Sequence, residues 1–372
     1  MQRFGEILKN RHQYARDWKA KTGGKVLGYF EPYMPEEVAY AAGLLPVRLL
    51  SEHEPDDISD RHMYGNCACS RDIINQVAKG RYDYLEGLCY AEACQWMRNA
   101  FASSLRYMKS PYNHYVFVPD YVDGPRSPVF MRSELASFKK SLEEWTGKTI
   151  TDESLDHAID VYNTNRRLMR QIYELRRAEN PPLSGTEAME MVLASQVMDK
   201  EEQNHLLKEM LEELPERGTQ NNTGVRLMLV GSPASDSELE RLIESLGATV
   251  VIDELCTGSA YFWNEVIPQK DRLMAIALRY LDKPHCALKD NNYRRRPAHI
   301  RQLLEAYNAH GVIISKQIYC HNHGADVPMV WTTLRERYVP FHYLERDTRL
   351  PVGETLTRIE AFINVLQGER VA

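Results

Sequence analysis

The chain has 372 residues and carries 46 Lys and Arg against 52 Asp and Glu, a formal net charge of −6. Hydrophobic residues make up 43% and charged residues 26%, which is typical of globular proteins and excludes disordered or collagen-like chains. No apolar run reaches the roughly 18 residues of a membrane helix, and no secretory signal pattern begins the chain. The mild acidity gives no electrostatic basis for binding nucleic acid. We therefore expect a cytoplasmic protein of two domains, with neither a membrane nor a nucleic acid as its partner.

Short apolar runs alternate with helix-length amphipathic segments in the first 150 residues. Parallel strands need long crossover connections, which are usually helices, so this alternation predicts βαβ units and a parallel sheet. The predicted strands are 26–30, 45–50, 82–90 and 114–119, and the predicted helices are 35–43, 71–79, 93–107 and 133–145.

Residues 151–214 carry apolar side chains at helical spacing, which predicts three helices and no strand. A polar linker is predicted at 216–224, and the alternation then resumes with strands at 225–233, 248–255, 311–315 and 339–345. The fold class predicted is α/β, with two doubly wound, flavodoxin-like parallel sheets. The N-terminal domain would span 1–150, a helical insert 151–222 and the C-terminal domain 223–372. In such sheets, ligands bind at the carboxyl ends of the strands.

The seven cysteines are odd in number, and a reducing compartment does not favour disulfides. A buried apolar role is the ordinary interpretation of any one of them. Two of them share a pattern, because Cys67 and Cys94 each stand four residues before an arginine, Arg71 and Arg98, near a predicted helix start. A helix N-terminus stabilises a thiolate, and Cys320 follows another predicted strand.

Three cysteines that meet in the cleft between two domains could hold a [4Fe–4S] cluster, with one iron left for water, substrate or another small ligand. Zinc is the competing metal, since His321 and His323 lie beside Cys320, but the paired knuckles of a structural zinc site are missing. The spacing by itself does not decide between these metals and plain buried cysteines.

These cysteines belong to a longer series of sequence landmarks. In chain order the landmarks are GYFEPYMPEEVAYAAGLLPVRLL, CACSR, CQWMR, VRLMLVGSPASDSELERLIESLGATVVIDELCTG, GVIISKQIYC and VPFHYLERD. Over nearly its full length the chain resembles the 2-hydroxyacyl-CoA dehydratase D-component/benzoyl-CoA reductase family. Within that family it most resembles the smaller, gamma-type cluster-binding subunit of ATP-dependent benzoyl-CoA reductases.

The resemblance implies that Cys67, Cys94 and Cys320 are the ligands of a [4Fe–4S] cluster. Cys69 lies two residues after Cys67 but is not followed by an arginine at the same spacing. The chain departs from the family pattern at Gln95, where an acidic residue is common, and in the His-Asn-His-Gly sequence after Cys320. These departures bear on the substrate more than on the ligands.

The resemblance also implies a reaction and partners. The chain would be the iron–sulfur subunit of a benzoyl-CoA reductase-type oxidoreductase, which reduces the ring of an aryl-CoA thioester in anaerobic aromatic degradation. One alternative is a lyase, an (R)-2-hydroxyacyl-CoA dehydratase, in which transient one-electron reduction expels the 2-hydroxyl group as water. Another alternative is a non-catalytic scaffold or electron relay. Expected partners are a homologous larger cluster-binding subunit and ATP-hydrolysing subunits that receive electrons indirectly from reduced ferredoxin.

Two further sets of residues are candidates for the site. His321 and His323 could donate protons, although hydrogen bonds to the turn backbone are the alternative. Arg294, Arg295 and Arg296 could bind the phosphates of coenzyme A, because guanidinium groups match phosphate oxygens, although a solvated charged surface is the alternative. The remaining cysteines are interpreted as core or supporting sulfur: Cys89, Cys256 and Cys286.

Overall fold

A computed structural model describes residues 2–55, 57–59, 63, 65–217, 224–284, 287, 289, 295–347 and 352–371. Within them the strands form two sheets of four, and every pairing is parallel. The first sheet has the order β2-β1-β3-β4 and the second has the order β6-β5-β7-β8. The strands have these bounds: β1 Val26–Tyr29, β2 Leu45–Arg48, β3 Gly87–Ala91, β4 Tyr112–Val116, β5 Arg226–Gly231, β6 Thr249–Glu254, β7 Gly311–Gln317 and β8 Phe341–Arg346.

Helices connect the strands and cover both sheets. Their bounds are Gln2–Lys9, Arg11–Thr22, Glu36–Ala41, Ala68–Ala78, Gln95–Tyr107, Ser127–Thr146, Asp152–Leu175, Gly185–Ser195, Lys200–Glu213, Glu238–Ser245, Ser259–Phe262, Arg272–Asp282, Arg295–Ala306, His321–Arg335 and Val352–Val371. None of these described helices is both long and apolar enough to cross a bilayer.

The predicted fold class is confirmed, because each sheet has the doubly wound strand order and helices separate its strands. The three insert helices also appear where the helical spacing predicts them, from Asp152 to Glu213. The centre of the predicted linker, 218–223, lies outside the described residues. The three domain boundaries stay a prediction.

The strands of both sheets are apolar because helices bury them from both sides. Every residue of β1, β2 and β3 is buried, as is every residue of β5 and β6. Two of the insert helices begin at a residue whose side chain accepts a backbone hydrogen bond, Thr151 and Asp199, and a third begins at Ser184 with a capping box to Glu187.

A buried acid cluster, Glu36 and Glu37, connects the three parts of the chain. Glu37 is ion-paired with Arg166 of an insert helix and accepts a hydrogen bond from the Tyr280 hydroxyl at 2.9 Å. Glu36 accepts one from the Tyr261 hydroxyl at 2.7 Å. Burial alone would raise the pKa of Glu37, but the charge of Arg166 holds that pKa below its usual range.

Each of the two doubly wound sheets has a switch point. It lies between two neighbouring strands whose following connections run in opposite directions. In the strand orders seen here, β1 and β3 flank one switch point and β5 and β7 flank the other. Ligands of doubly wound sheets bind outside the carboxyl ends of such strands. The loops after these four strands are therefore where a functional site is expected.

Gly231 ends β5 beside β7 and has no room for a side chain. Its φ is +136°, and a Cβ atom there would lie 2.1 Å from the carbonyl oxygen of Ser315. Backbone atoms of a paired strand cannot move aside without breaking the ladder. Glycine is therefore required by both conformation and space.

We predict that Gly231→Ala lowers the free energy of unfolding by about 3 kcal/mol or more, through overpacking added to backbone strain. The matched control is Gly80→Ala, since Gly80 also has a positive φ, +72°, but no atom lies within 4 Å of its added Cβ. That control should lose only about 1 kcal/mol. Urea denaturation measures both losses, and equal losses would contradict the steric argument.

Candidate functional site

A small cavity lies at the carboxyl ends of the strands of both sheets, with a volume of about 50 Å³. Loops after β1, β2, β3, β5, β6 and β7 all contribute to its lining. We call it the cysteine cavity, because five of the seven cysteines line it: Cys67, Cys69, Cys94, Cys256 and Cys320. The three predicted ligands are therefore brought together in one space, although they are far apart in sequence.

Each predicted ligand occupies the same position relative to a helix. Cys67 is the N-cap of helix Ala68–Ala78, Cys94 that of helix Gln95–Tyr107 and Cys320 that of helix His321–Arg335. The first N–H groups of a helix have no partner within it, and the helix dipole adds positive potential there. Three helix N-termini therefore direct positive potential toward three sulfurs, which suits thiolates or an anionic centre that they hold.

The electrostatics of the three thiols are linked. Burial, with a smaller contribution from the nearby Cys320, raises the pKa of Cys67 to about 11. Burial also raises the pKa of Cys94, with added contributions from Glu31 and Cys67. Burial is again the main cause of the raised pKa of Cys320. Three thiolates could share this space only if a bound metal centre offset their charge, because binding a metal replaces the thiol protons.

The separation of the sulfurs bears on which metal centre they could hold. Among the described residues, no group of candidate metal ligands whose ligand atoms all lie within 4.8 Å of one another contains these three sulfurs. A single tetrahedral zinc ion with Zn–S bonds near 2.3 Å needs sulfurs about 3.8 Å apart. A cube binds each thiolate through a different iron, so its ligand sulfurs lie about 6–7 Å apart. At least two of the three sulfurs are therefore more than 4.8 Å apart, which is farther than one zinc ion allows.

Two direct contacts join the loop of Cys94 to the loop of Cys320. The indole Nε1 of Trp96 donates a hydrogen bond to the carbonyl oxygen of Tyr319 at 2.9 Å. The Asn322 side-chain amide lies 3.6 Å from the Cys94 sulfur, with the amide as donor. Tyr319 has a φ of +60°, which is uncommon for a residue with a side chain. Contacts between the two sheets therefore fix the relative position of two predicted ligands.

The two histidines after Cys320 have different surroundings. His321 is exposed and its ring packs against that of Trp96, with 5.1 Å between the ring centroids. His323 is buried, lines the cysteine cavity, and its Nδ1 has no hydrogen-bond partner. Burial, aided by the charge of Arg296, lowers the pKa of His323 to about 3. His323 is therefore neutral at pH 7, which does not suit an imidazolium proton donor.

The two arginines of the C-x-x-x-R pattern do not share a role at the sulfurs. Arg71 forms an ion pair with Asp347, which follows β8, with 2.8 Å between Nη2 and Oδ1. Arg98 is exposed. The Arg71 contact ties the helix that follows Cys67 to the C-terminal sheet, so its visible role is in holding the two sheets together.

The arginine run does not reach the cysteine cavity in the described residues. Arg294 lies outside them, and Arg295 pairs at the surface with Asp282 and Asp123 at 2.9 and 3.1 Å. The interpretation of Arg296 as a phosphate ligand stays a prediction. In the structure it is only 2% exposed, and its guanidinium lies 2.6 Å from Glu254 and 3.0 Å from Asp326.

Sequence reasoning missed two charged residues of the cavity, Glu31 and Arg48. Arg48 ends β2, is 4% exposed, and its Nη1 donates to the Gln196 side chain at 2.6 Å. Glu31 follows β1 and is 5% exposed. Burial raises the pKa of Glu31 to about 7, although the charges of Arg48, Lys283 and Lys289 oppose the rise. The available signal was a charged residue at the end of a short apolar run, since Arg48 ends β2 and Glu31 comes two residues after β1.

We predict that Arg296→Met lowers the free energy of unfolding by about 3–5 kcal/mol, because it removes the buried guanidinium that pairs with the carboxyl groups of Glu254 and Asp326. The matched control is its neighbour Arg295→Met, which removes exposed pairs and should cost about 1 kcal/mol or less. Denaturant titration of both variants checks this, and a small loss for Arg296→Met would remove the structural role assigned here.

Comparison with known proteins identifies the family of this chain. The family model described as 2-hydroxyglutaryl-CoA dehydratase, D-component, matches residues 32–366. A benzoyl-CoA reductase subunit of Thauera aromatica is 26% identical, with 91% of each chain covered. The (R)-phenyllactyl-CoA dehydratase beta subunit of Clostridium sporogenes is 23% identical, with 98% of this chain and 97% of that protein covered. The beta subunit of (R)-2-hydroxyglutaryl-CoA dehydratase of Acidaminococcus fermentans is 22% identical, with 98% of each covered. The chain therefore belongs to the 2-hydroxyglutaryl-CoA dehydratase D-component family.

Proposed function

We propose that this chain is the iron–sulfur subunit of a benzoyl-CoA reductase-type enzyme, in which Cys67, Cys94 and Cys320 hold a [4Fe–4S] cluster. One observation carries the proposal: these three cysteines are the N-cap residues of three helices, and all three line one cavity at the carboxyl ends of both sheets. The donor set fits the cluster, because it supplies three thiols at helix N-termini, of which at least two are too far apart to bind one metal ion together.

The bound cluster would supply single electrons at low potential. The residues of this chain would hold it and set its surroundings. A backbone N–H near each sulfur, from Ser70, Met97 or His323, opposes the rise in the pKa of the thiol that burial causes. Such groups also stabilise added negative charge on a centre bound by the sulfurs. Phe30 and Leu49 in the cavity wall would limit the access of water.

The substrate in this proposal is an aryl-CoA thioester, whose ring accepts two electrons and two protons. The partners proposed are a homologous larger cluster-binding subunit and ATP-hydrolysing subunits that receive electrons indirectly from reduced ferredoxin, in the cytoplasm. The relatives support a multisubunit enzyme, because each of them is named as a subunit. The benzoyl-CoA reductase relative, at 26% identity, supports the reductase as the first choice.

A 2-hydroxyacyl-CoA dehydratase subunit is the second candidate. Relatives named as dehydratase beta subunits cover 97–98% of this chain and of their own lengths at 22–23% identity. The same cysteine cavity would serve such an enzyme, because both reactions begin with one electron added to a CoA thioester. The two candidates differ in the acyl group, in the product and in whether electrons are consumed overall.

We predict that anaerobically purified chain binds about four irons, and that Cys94→Ser loses most of this iron because one thiolate is missing. The matched control is Cys89→Ser, which changes a fully buried cysteine of β3 outside the cavity and should keep its iron. Iron analysis and the visible absorption spectrum measure both. A colourless wild-type chain that still supports full activity of the complex would contradict this proposal and support the non-catalytic scaffold role.

The reductase and the dehydratase are separated by product analysis of the complete complex with ATP and reduced activating subunits. We expect benzoyl-CoA to yield a ring-reduced CoA thioester, with electrons consumed in proportion to product. An (R)-2-hydroxyacyl-CoA should stay unchanged. Water elimination from the hydroxyacyl thioester, without net electron consumption, would support the dehydratase and contradict the first choice.

A further inference from the structure

Three side chains that can bind a metal ion meet where a loop of one sheet faces a loop of the other. His53 lies in the loop after β2 of the first sheet, and Asp236 and Glu238 follow β5 of the second. The Nε2 atom of His53 lies 3.2 Å from Oδ2 of Asp236 and 3.6 Å from Oε1 of Glu238. All three ligand atoms lie within 4.8 Å of one another, so a single ion could contact all of them.

A histidine proton by itself does not match this arrangement. A protonated Nε2 carries one hydrogen and aims it in one direction, so it can bond only one of the two carboxylates well. Among the described ion pairs, His157 and His205 each lie beside a single carboxylate at the same 3.2 Å. The second carboxylate around one nitrogen is therefore what distinguishes the group at His53.

Charge gives a second reason to expect a metal ion. Asp236 and Glu238 bring two negative charges, and a protonated His53 would balance one of them. Arg346 acts on Asp236 from the second sheet, but its guanidinium bonds the Ser315 hydroxyl at 2.9 Å and a backbone carbonyl group. A divalent cation balances both carboxylates while the imidazole stays neutral, which is the form that binds metals.

The fold holds the three ligand atoms in place from both sides. The carboxylate of Asp72 accepts the backbone N–H groups of the residues before and after His53, at 3.0 and 2.7 Å. In the other loop, Oδ1 of Asp236 accepts the backbone N–H of Glu238 at 2.8 Å, which leaves Oδ2 facing the histidine. Ligands that are already positioned lose little freedom when an ion binds, so this support favours binding.

The donor set and its exposure indicate which ion would bind. One imidazole nitrogen and two carboxylate oxygens are ligands of Zn²⁺, which prefers four ligands. Bonds of about 2.0–2.2 Å place neighbouring ligand atoms of a zinc tetrahedron about 3.3–3.6 Å apart, close to the two separations seen here. Mg²⁺ and Ca²⁺ prefer oxygen ligands alone. The three side chains are 19%, 25% and 47% exposed, so an ion can enter and water can take the fourth position.

We propose that His53, Asp236 and Glu238 form a zinc site that joins the two sheets beside the cysteine cavity. The site is separate from the proposed cluster, and no step of the proposed reaction passes through it. Ser235, next to Asp236, lines the cavity and lies 3.8 Å from the Cys69 sulfur, so the site adjoins the cavity wall. A bound ion would hold the loop after β2 against the loop after β5 and so keep two walls of the cavity together.

The test is metal binding by the full chain, purified anaerobically. Zinc is titrated against a chromophoric indicator, and cobalt(II) is titrated in parallel because its spectrum reports the ligands. Cobalt bound by cysteine shows strong sulfur-to-metal charge-transfer absorption, whereas cobalt bound by nitrogen and oxygen does not. We expect cobalt at the proposed site to show tetrahedral bands without that absorption. His53→Gln and Glu238→Gln should weaken zinc binding there about tenfold or more.

The matched control is His157→Gln, which removes a histidine that pairs with one carboxylate at the same 3.2 Å. It should keep the zinc affinity of wild type within about twofold. Thermal melts provide a second measurement, because an ion that binds only the folded chain raises its melting temperature. We expect zinc to raise the melting temperature of wild type and of the control but not of Glu238→Gln, whose replaced side chain is 47% exposed and leaves the fold intact.

Equal zinc affinities of wild type, His53→Gln and Glu238→Gln would overturn the inference. So would bound cobalt that shows only the sulfur charge-transfer absorption, because the metal would then lie at the cysteines and the three residues would form an ion pair alone. Neither result bears on the proposed function, which iron analysis tests separately. A chain that binds zinc at His53 but no iron would contradict the proposed function and leave this inference intact.

Discussion

The buried acid cluster is the interaction on which the rest of the structure depends. Glu37 pairs with Arg166, and Glu36 accepts a hydrogen bond from a hydroxyl group of the C-terminal part. Both glutamates lie on the short helix Glu36–Ala41, directly after the loop that carries Glu31. Breaking a buried ion pair costs about 3–5 kcal/mol, so this helix cannot shift without a large loss of stability. The cluster therefore fixes one wall of the cysteine cavity to both other parts of the chain.

The cavity itself follows from placing two switch points opposite each other. Each parallel sheet delivers its loops to its carboxyl edge, and the two edges share one space. Three helices begin in that space with cysteine at the N-cap, so their dipoles add rather than cancel. Positive potential, buried thiols and one carboxyl group are the ingredients expected around a bound anionic centre. No single sheet could supply them all.

Several features of this arrangement were predictable from the sequence. Apolar runs with helix-length connections predicted both sheets, because a strand covered on both faces must be apolar along its whole length. The C-x-x-x-R spacing correctly placed Cys67 and Cys94 at helix starts. It did not reveal that the Arg71 guanidinium pairs with Asp347, which follows a strand of the other sheet, or that Arg296 is buried between two carboxylates. Local pattern does not reveal a partner that is distant along the chain.

The amino-acid sequence determined the elements, the family and the three cysteines, because these depend on residue type and on spacing along the chain. Only the tertiary structure decided what faces the cysteines. Nothing in the sequence distinguishes Glu31 from an ordinary loop glutamate, and its burial arises because loops of both sheets close around it. Burial, and with it the electrostatic state of a carboxyl group or a thiol, is a property of all the atoms around it, and those atoms come from distant parts of the chain.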